Sequence, residues 1–128
     1  MKKTIHILLW SLQVVLAITL FWAAFAKIFL PTEQLESMWP WTGDVSRSFV
    51  LVTGTIDFLG AIGLILPSLF RFKPVLTPIA AIGVVLLMIS AAAFHISRGE
   101  VSQIGFNVVF GLLAAALAYG RLKIVPVK

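Results

Sequence analysis

The sequence has no cysteine in 128 residues. That excludes disulfides, thiol catalysis and a CxxC redox centre. It is also poor in charge, with 12% Asp, Glu, Lys and Arg where a soluble domain carries about 25%. So little polar surface cannot coat a water-soluble globule of this size. A soluble enzyme, a nucleic-acid module and a disordered segment are therefore excluded. Acid is scarcer still: five Asp and Glu stand against ten Lys and Arg, for a net charge of +5. Short segments with period-two alternation are missing as well, which argues against a transmembrane barrel. What remains is apolar, 60% of the residues, with a mean hydropathy of +1.06. The chain reads as an integral membrane protein.

Four long apolar stretches are separated by three polar breaks, and they cover about residues 5–30, 48–70, 74–96 and 104–120. At 1.5 Å per residue such stretches span roughly 25 to 39 Å, enough for a hydrocarbon core of about 30 Å. Backbone amides in lipid must be satisfied within the segment, so each stretch is expected to be a helix. The predicted architecture is a single all-α membrane domain, a bundle of four transmembrane helices. Pro74 and Pro78 suit the first turn of the third helix, Pro31 closes the first, and Pro126 lies beyond the fourth. Pro67, one turn before the end of the second, is expected to bend or loosen that end.

Charge sets the expected orientation. Lys2, Lys3, Arg71, Lys73, Arg121, Lys123 and Lys128 fall on one side with no acid. Lys27, Arg47 and Arg98 share the other side with Glu33, Glu36, Asp44 and Glu100. The positive-inside rule places both termini in the cytoplasm. It also accounts for the basic balance without nucleic acid, as topology signals with some attraction to anionic headgroups. Lys2-Lys3, an apolar run and Ala24-Phe25-Ala26 mimic a signal peptide. The run is about twice a normal apolar core of such a peptide, so the segment is read as a retained helix. The long break, residues 31–47, contains Leu35, Met38, Trp39 and Trp41. It suits a short segment at the outer interface, either an aromatic anchor or a lid over a pocket.

Asp57 stands out within this apolar background. It lies about nine residues inside the second helix, roughly 13 Å below the outer surface, where an ionised carboxylate costs on the order of 3 kcal/mol or more. The natural cation is Lys27 near the outer end of the first helix, whose long stem can reach inward. Gly54, Asp57, Ala61 and Leu64 share one helical stripe, and its small residues admit a neighbouring backbone that shields the carboxyl. His95 near the outer end of the third helix and Asn107 about a turn into the fourth complete a polar set drawn from four helices. Asp57 is the candidate proton carrier; Lys27, His95 and Asn107 are the candidate ligand contacts. The set lacks the ligands of a metal site, and no flavin, haem or iron–sulfur site is evident. Ser11 and Gln13 in the first helix are read as interhelical hydrogen bonds. Small residues on two stripes of the fourth helix, including Gly111, Ala115, Ala116 and Gly120, leave room for neighbours on both sides and for a homodimer.

The segments GTIDFLGAIGLILP in the second helix, AAAFHISRGE ending the third and AYGR ending the fourth resemble the DoxX-like family of small membrane proteins. The resemblance runs from about Phe21 to Arg121. The family commonly has Glu where this chain has Asp57, and Gly where it has Ala24. The resemblance implies a four-helix membrane fold in the cytoplasmic (inner) membrane. Some relatives are membrane subunits of quinone-linked oxidoreductases acting on sulfur compounds, or belong to oxidative-stress complexes; others assist the assembly of partner proteins. Three functions follow as expectations. The first is a redox subunit holding a quinone-like ligand around Asp57, with electrons supplied by a partner protein. The second is a non-catalytic scaffold or assembly factor in which Lys27 and Asp57 are a structural pair. The third is a small dimeric transporter, ranked last because four-helix exporters carry their acid in the first helix.

Overall fold

In the computed structural model, residues 1–127 are described; Lys128, counted among the basic residues above, lies outside them. The described residues are predominantly helical and contain no strand. Four helices carry the bundle: α1 (Lys2–Phe29), α3 (Arg47–Leu69), α4 (Leu76–Ser97) and α5 (Ile104–Tyr119). A short helix α2 (Thr32–Met38) and a 3-10 turn (Pro40–Gly43) form the long connection. A second 3-10 turn (Val101–Gln103) leads into α5, and a π-turn (Gly120–Ile124) prolongs it.

α1, α3, α4 and the continuous run Val101–Ile124, α5 with its flanking turns, are each long and apolar enough to cross a membrane, and only 17% to 28% of the most apolar stretch of each is buried in the bundle. The remaining faces carry Ile18, Phe21, Leu59, Leu86 and Leu112, all more than half exposed. In water that surface would aggregate; in a bilayer, lipid chains cover it. The chain is a multi-pass integral membrane protein.

The helices pack in chain order around a ring, α1 on α3, α3 on α4 and α4 on α5, with a lighter α5–α1 seam closing it. The short connections make successive helices antiparallel. One end of the bundle carries both termini and the α3–α4 turn; the other, here the loop end, carries α2 and the α4–α5 turn. Leu16, Leu64, Ala81, Val84, Ala114 and Leu117 fill the centre at 2% exposure or less.

Local sequence explains the helix ends. Ser46 caps α3, its Oγ accepting from the Phe49 amide at 3.2 Å, which meets one of the unpaired N–H groups of the first turn. Gly99, at a φ of 75°, ends α4 in the left-handed conformation open to glycine at no steric cost. α4 begins at Leu76, two residues after Pro74, because Arg71 and Lys73 both take positive φ in the tight turn before it. That turn is pinned by a 2.6 Å hydrogen bond between the buried hydroxyls of Ser68 and Thr77. α3 runs through Pro67 to Leu69.

One sequence expectation is corrected here. Ser11 does not join helices: its hydroxyl is on an exposed position and donates to the Ile7 carbonyl of its own helix at 2.9 Å. A hydroxyl facing lipid is satisfied most simply by the carbonyl one turn back. Gln13, by contrast, is fully buried and donates from Nε2 to the Leu64 carbonyl of α3 at 2.7 Å.

Candidate functional site

Lys27 and Asp57 meet across the α1–α3 seam, Nζ lying 2.7 Å from Oδ2. The lysine side chain is 13% exposed and the aspartate 5%. Gly54, one turn toward the loop end from Asp57, makes the approach feasible. A methyl group there would lie 3.0 Å from Lys27 Cβ and 3.3 Å from Ile28 Cγ1. The backbone of Lys27 is thus level with Gly54, and its side chain descends a turn along α3 to reach the carboxylate. Only one carboxylate oxygen is used: Oδ1 accepts no hydrogen bond from the described residues, and it is not sealed from its surroundings.

The loop lies over this pair. Leu35 of α2 is fully buried against Ala26 and Val50, with Trp39, Trp41 and Val45 around it. That contact seats the connection on the ends of α1 and α3. Arg47 fixes the same junction by donating to the Ile28 carbonyl at 2.9 Å. The Trp39 and Trp41 rings then stand 5.8 and 5.6 Å from Lys27 Nζ, within reach of a cation–π attraction. Trp39 packs edge-on against Trp22 at 5.6 Å. Trp41 does so against Phe94 at 5.7 Å and Phe49 at 6.2 Å. The ammonium therefore sits beneath two indoles and beside one carboxylate.

Asn107 shares the inward face of α5 with Phe110 and Ala114, and its Nδ2 is buried without a hydrogen-bond partner. Its height follows from glycine contacts. Gly60 touches Val84 of α4, and Gly111 touches Met88, one turn nearer the loop end. Asn107 is a turn beyond Gly111, so it lies about a turn and a half, roughly 7 Å, nearer the loop end than Asp57. No hydrogen bond joins it to Lys27 or Asp57. His95 is held elsewhere: its Nδ1 lies 3.0 Å from Glu100 Oε1. Arg98 reaches the same oxygen through Nε at 3.0 Å and Asp44 Oδ2 through NH2 at 2.7 Å. This cluster ties the α4–α5 turn to the long connection. The Arg98 hydrogen bond, then that of His95, holds the Glu100 carboxyl below its ordinary range.

Of the four expected site residues, the fold joins Lys27 to Asp57, sets Asn107 about a turn and a half away with an unmet donor, and ties His95 to Glu100. Two apolar grooves open toward lipid. One of about 300 Å³ lies between α1 and α3 along Ala17, Phe21, Ala61 and Ile65. The other, of about 220 Å³, lies between α3 and α4 along Ile56, Gly60, Gly83 and Leu87. Neither is lined by the ion pair. Among the described residues, no three His, Cys, Asp or Glu side chains come together as a metal would need. A polar centre that sequence reading missed lies at the other end. Arg121, expected only as a topology signal, is 2% exposed and donates from Nε to Gln13 Oε1 at 2.7 Å.

A membrane bundle with one intramembrane ion pair under an aromatic connection is the class these observations define. The chain belongs to the DoxX-like family, whose model matches residues 11–117. No curated protein and no solved structure matches it.

Proposed function

We propose that this DoxX-like protein is the membrane subunit of a quinone-linked oxidoreductase, holding a lipid-soluble ligand with carbonyl oxygens around Asp57. The observation that carries the reading is unmet hydrogen-bonding capacity at membrane depth. Asp57 Oδ1 has no donor among the described residues, and Asn107 Nδ2 is buried with no acceptor about a turn and a half nearer the loop end. Lipid cannot satisfy either group, and each such group costs on the order of several kcal/mol in a hydrocarbon setting. A guest with two carbonyl oxygens on an apolar ring supplies acceptors for Asn107 and Lys27 and, once reduced, a donor for Asp57. When bound, a quinone takes up two electrons and two protons. In this reading Asp57 passes protons, Lys27 holds the carboxylate charged between transfers, and Trp39 and Trp41 exclude water. The electrons come from a partner protein, since the chain offers no evident flavin, haem or iron–sulfur site. His95 would meet the ligand only by leaving Glu100.

The charge asymmetry supports both termini in the cytoplasm of a bacterial cell with the protein in the cytoplasmic membrane, so that the site opens to the outer leaflet. The test is mass spectrometry of small molecules that co-purify with the wild type and with Asp57→Asn. Retention of a quinone by the wild type and its loss from the variant is the expected result. No defined ligand in either protein, with equal stability, would sink the reading.

One observation favours a second reading, a non-catalytic scaffold or assembly partner. The Lys27–Asp57 pair is closed at 2.7 Å and already ties α1 to α3. In that case neutralising both residues leaves the fold and its partner binding intact. A second copy of the chain is one such partner, with exposed Ala115 and Ala116 on α5 as its closest point of approach.

A further inference from the structure

Arg121 is a buried cation with no counter-charge beside it among the described residues. Its NH1 lies 2.9 Å from His6 Nδ1 and donates to the Val125 carbonyl at 3.0 Å. Its guanidinium carbon lies 5.9 Å from the Trp10 ring centre, and Nε is taken by Gln13. These partners are all neutral. A guanidinium only donates, so His6 Nδ1 must accept, which makes His6 the neutral tautomer with its proton on Nε2. NH2 has no partner. The five acids of the chain lie elsewhere: Glu33, Glu36, Asp44 and Glu100 at the loop end, and Asp57 with Lys27. Among the described residues, the other charged side chains at Arg121's end of the bundle, Lys2, Lys3, Arg71, Lys73 and Lys123, are all basic.

The backbone around Arg121 is unusual in the same place. The π-turn Gly120–Ile124 closes with the Val125 amide on the Gly120 carbonyl at 2.8 Å. Such wide turns recur at functional sites. Gly120 lets Leu9 pack closely against the turn, since a methyl group there would lie 2.7 Å from Leu9 Cδ2 and displace that side chain. The turn carries the tail back over the guanidinium, so the Val125 carbonyl fills a position that suits an anionic oxygen. Moving the Val125 carbonyl frees one NH1 hydrogen beside the unpartnered NH2, the other staying on His6, and two adjacent N–H groups match two oxygens of a phosphate.

We propose that Arg121 is the seat of a phosphate group, that of an anionic lipid headgroup in the leaflet at the terminal end of the bundle. Gln13 and His6 orient the guanidinium, and the Ile124–Val125 segment yields to admit the phosphate. Free phosphate shares the chemistry. The exposed Leu8, Tyr119 and Leu122 nearby favour a phosphate that arrives on acyl chains. The site is independent of the one at Asp57.

The test uses the full chain in a neutral maltoside detergent, with lipid retention read by native mass spectrometry and stability by thermal melting. Phosphatidylglycerol, phosphatidylcholine and sodium phosphate are added separately at matched ionic strength. The expected result is retention of phosphatidylglycerol over phosphatidylcholine by about tenfold or more, a raised Tm, and no shift with sodium phosphate. Arg121→Gln loses the preference, whereas Lys2→Gln, Lys3→Gln and Lys123→Gln combined keeps it. A wild type that does not distinguish the two lipids overturns the proposal without reference to any variant. So does a preference that follows the surface lysines instead of Arg121. A Tm shift reproduced by sodium phosphate overturns the lipid assignment, and co-purification of an acidic protein in place of lipid overturns it as well.

Discussion

Lys27 Nζ lies 2.7 Å from Asp57 Oδ2, thirty residues away in sequence, and the contact holds together the two helices that share the bundle's most extensive seam. Each charge is tolerable in the membrane because of the other. Removing one partner of a buried pair costs about 3–5 kcal/mol, because the survivor stays charged and unpaired; replacing both with apolar groups of similar volume is far milder. Lys27→Met and Asp57→Leu are each expected to destabilise the bundle strongly, and the combined variant to recover most of the loss. Unfolding in mixed micelles with increasing SDS measures all four species of the cycle. A double variant as unstable as the worse single one contradicts this account of the pair.

Two glycines provide a matched comparison. A methyl group at Gly54 meets Lys27 and Ile28 at 3.0 and 3.3 Å, whereas at Gly83 it meets nothing within 4 Å. Gly54→Ala must push α1 away from α3 at the level of the ion pair, with an overpacking cost of about 1–3 kcal/mol. Gly83→Ala only removes backbone freedom, and a helix gains up to about 1 kcal/mol from that change. The same SDS titration is expected to move the two variants in opposite directions.

The contrast between residues that were legible in the sequence and those that were not has a physical basis. The four helices follow from apolar length, because lipid leaves the backbone no other way to satisfy itself. Asp57 and Lys27 were legible as partners because a lone charge at that depth is so unfavourable that the chain must supply its opposite. His95 was placed by depth alone. Depth does not reveal that Glu100, five residues on, is held within reach by the turn at Gly99. Ser11 and Gln13 look alike as polar residues in an apolar run. Their faces differ, one toward lipid and one toward Leu64, and the continuous apolarity of α1 hides which face is which. Arg121 was hidden for the converse reason: a basic residue at a helix end is the ordinary topology signal. The clue was a glycine before it and two polar residues, His6 and Gln13, about two turns apart on one face of α1.

The cluster at the loop end should respond to acid. Glu100 is held below its ordinary carboxyl value of 4.5 by Arg98 and then His95. A depressed carboxyl stabilises the fold above its unfolded pKa, and that contribution is lost as pH falls through the lower folded value. The long connection is therefore expected to loosen below about pH 4.5, the direction set by that linkage, as Arg98 releases Glu100 and its link to Asp44 weakens. Trp41, which packs on Phe94 beside this cluster, reports the change by fluorescence. Glu100→Gln is expected to remove most of the acid response, and high salt to blunt it.

The seat of the connection makes a sharper demand. Leu35 is fully buried against Ala26 and Val50, and the short helix that carries it has no side-chain cap of its own. A seven-residue helix is too short to persist on local propensity, so α2 depends on this one apolar contact for its place. Leu35→Ala leaves a cavity worth about 2–5 kcal/mol in a core that cannot collapse. Here the expected outcome is local: the connection lifts, Trp39 and Trp41 move from Lys27, and the four long helices stay folded. Faster hydrogen exchange confined to residues 31–46, with unchanged exchange in α4 and α5, is the signature. Uniform loss of protection would instead make the connection part of the bundle's cooperative core, and Trp39 and Trp41 could then not open over the Lys27–Asp57 pair without unfolding it.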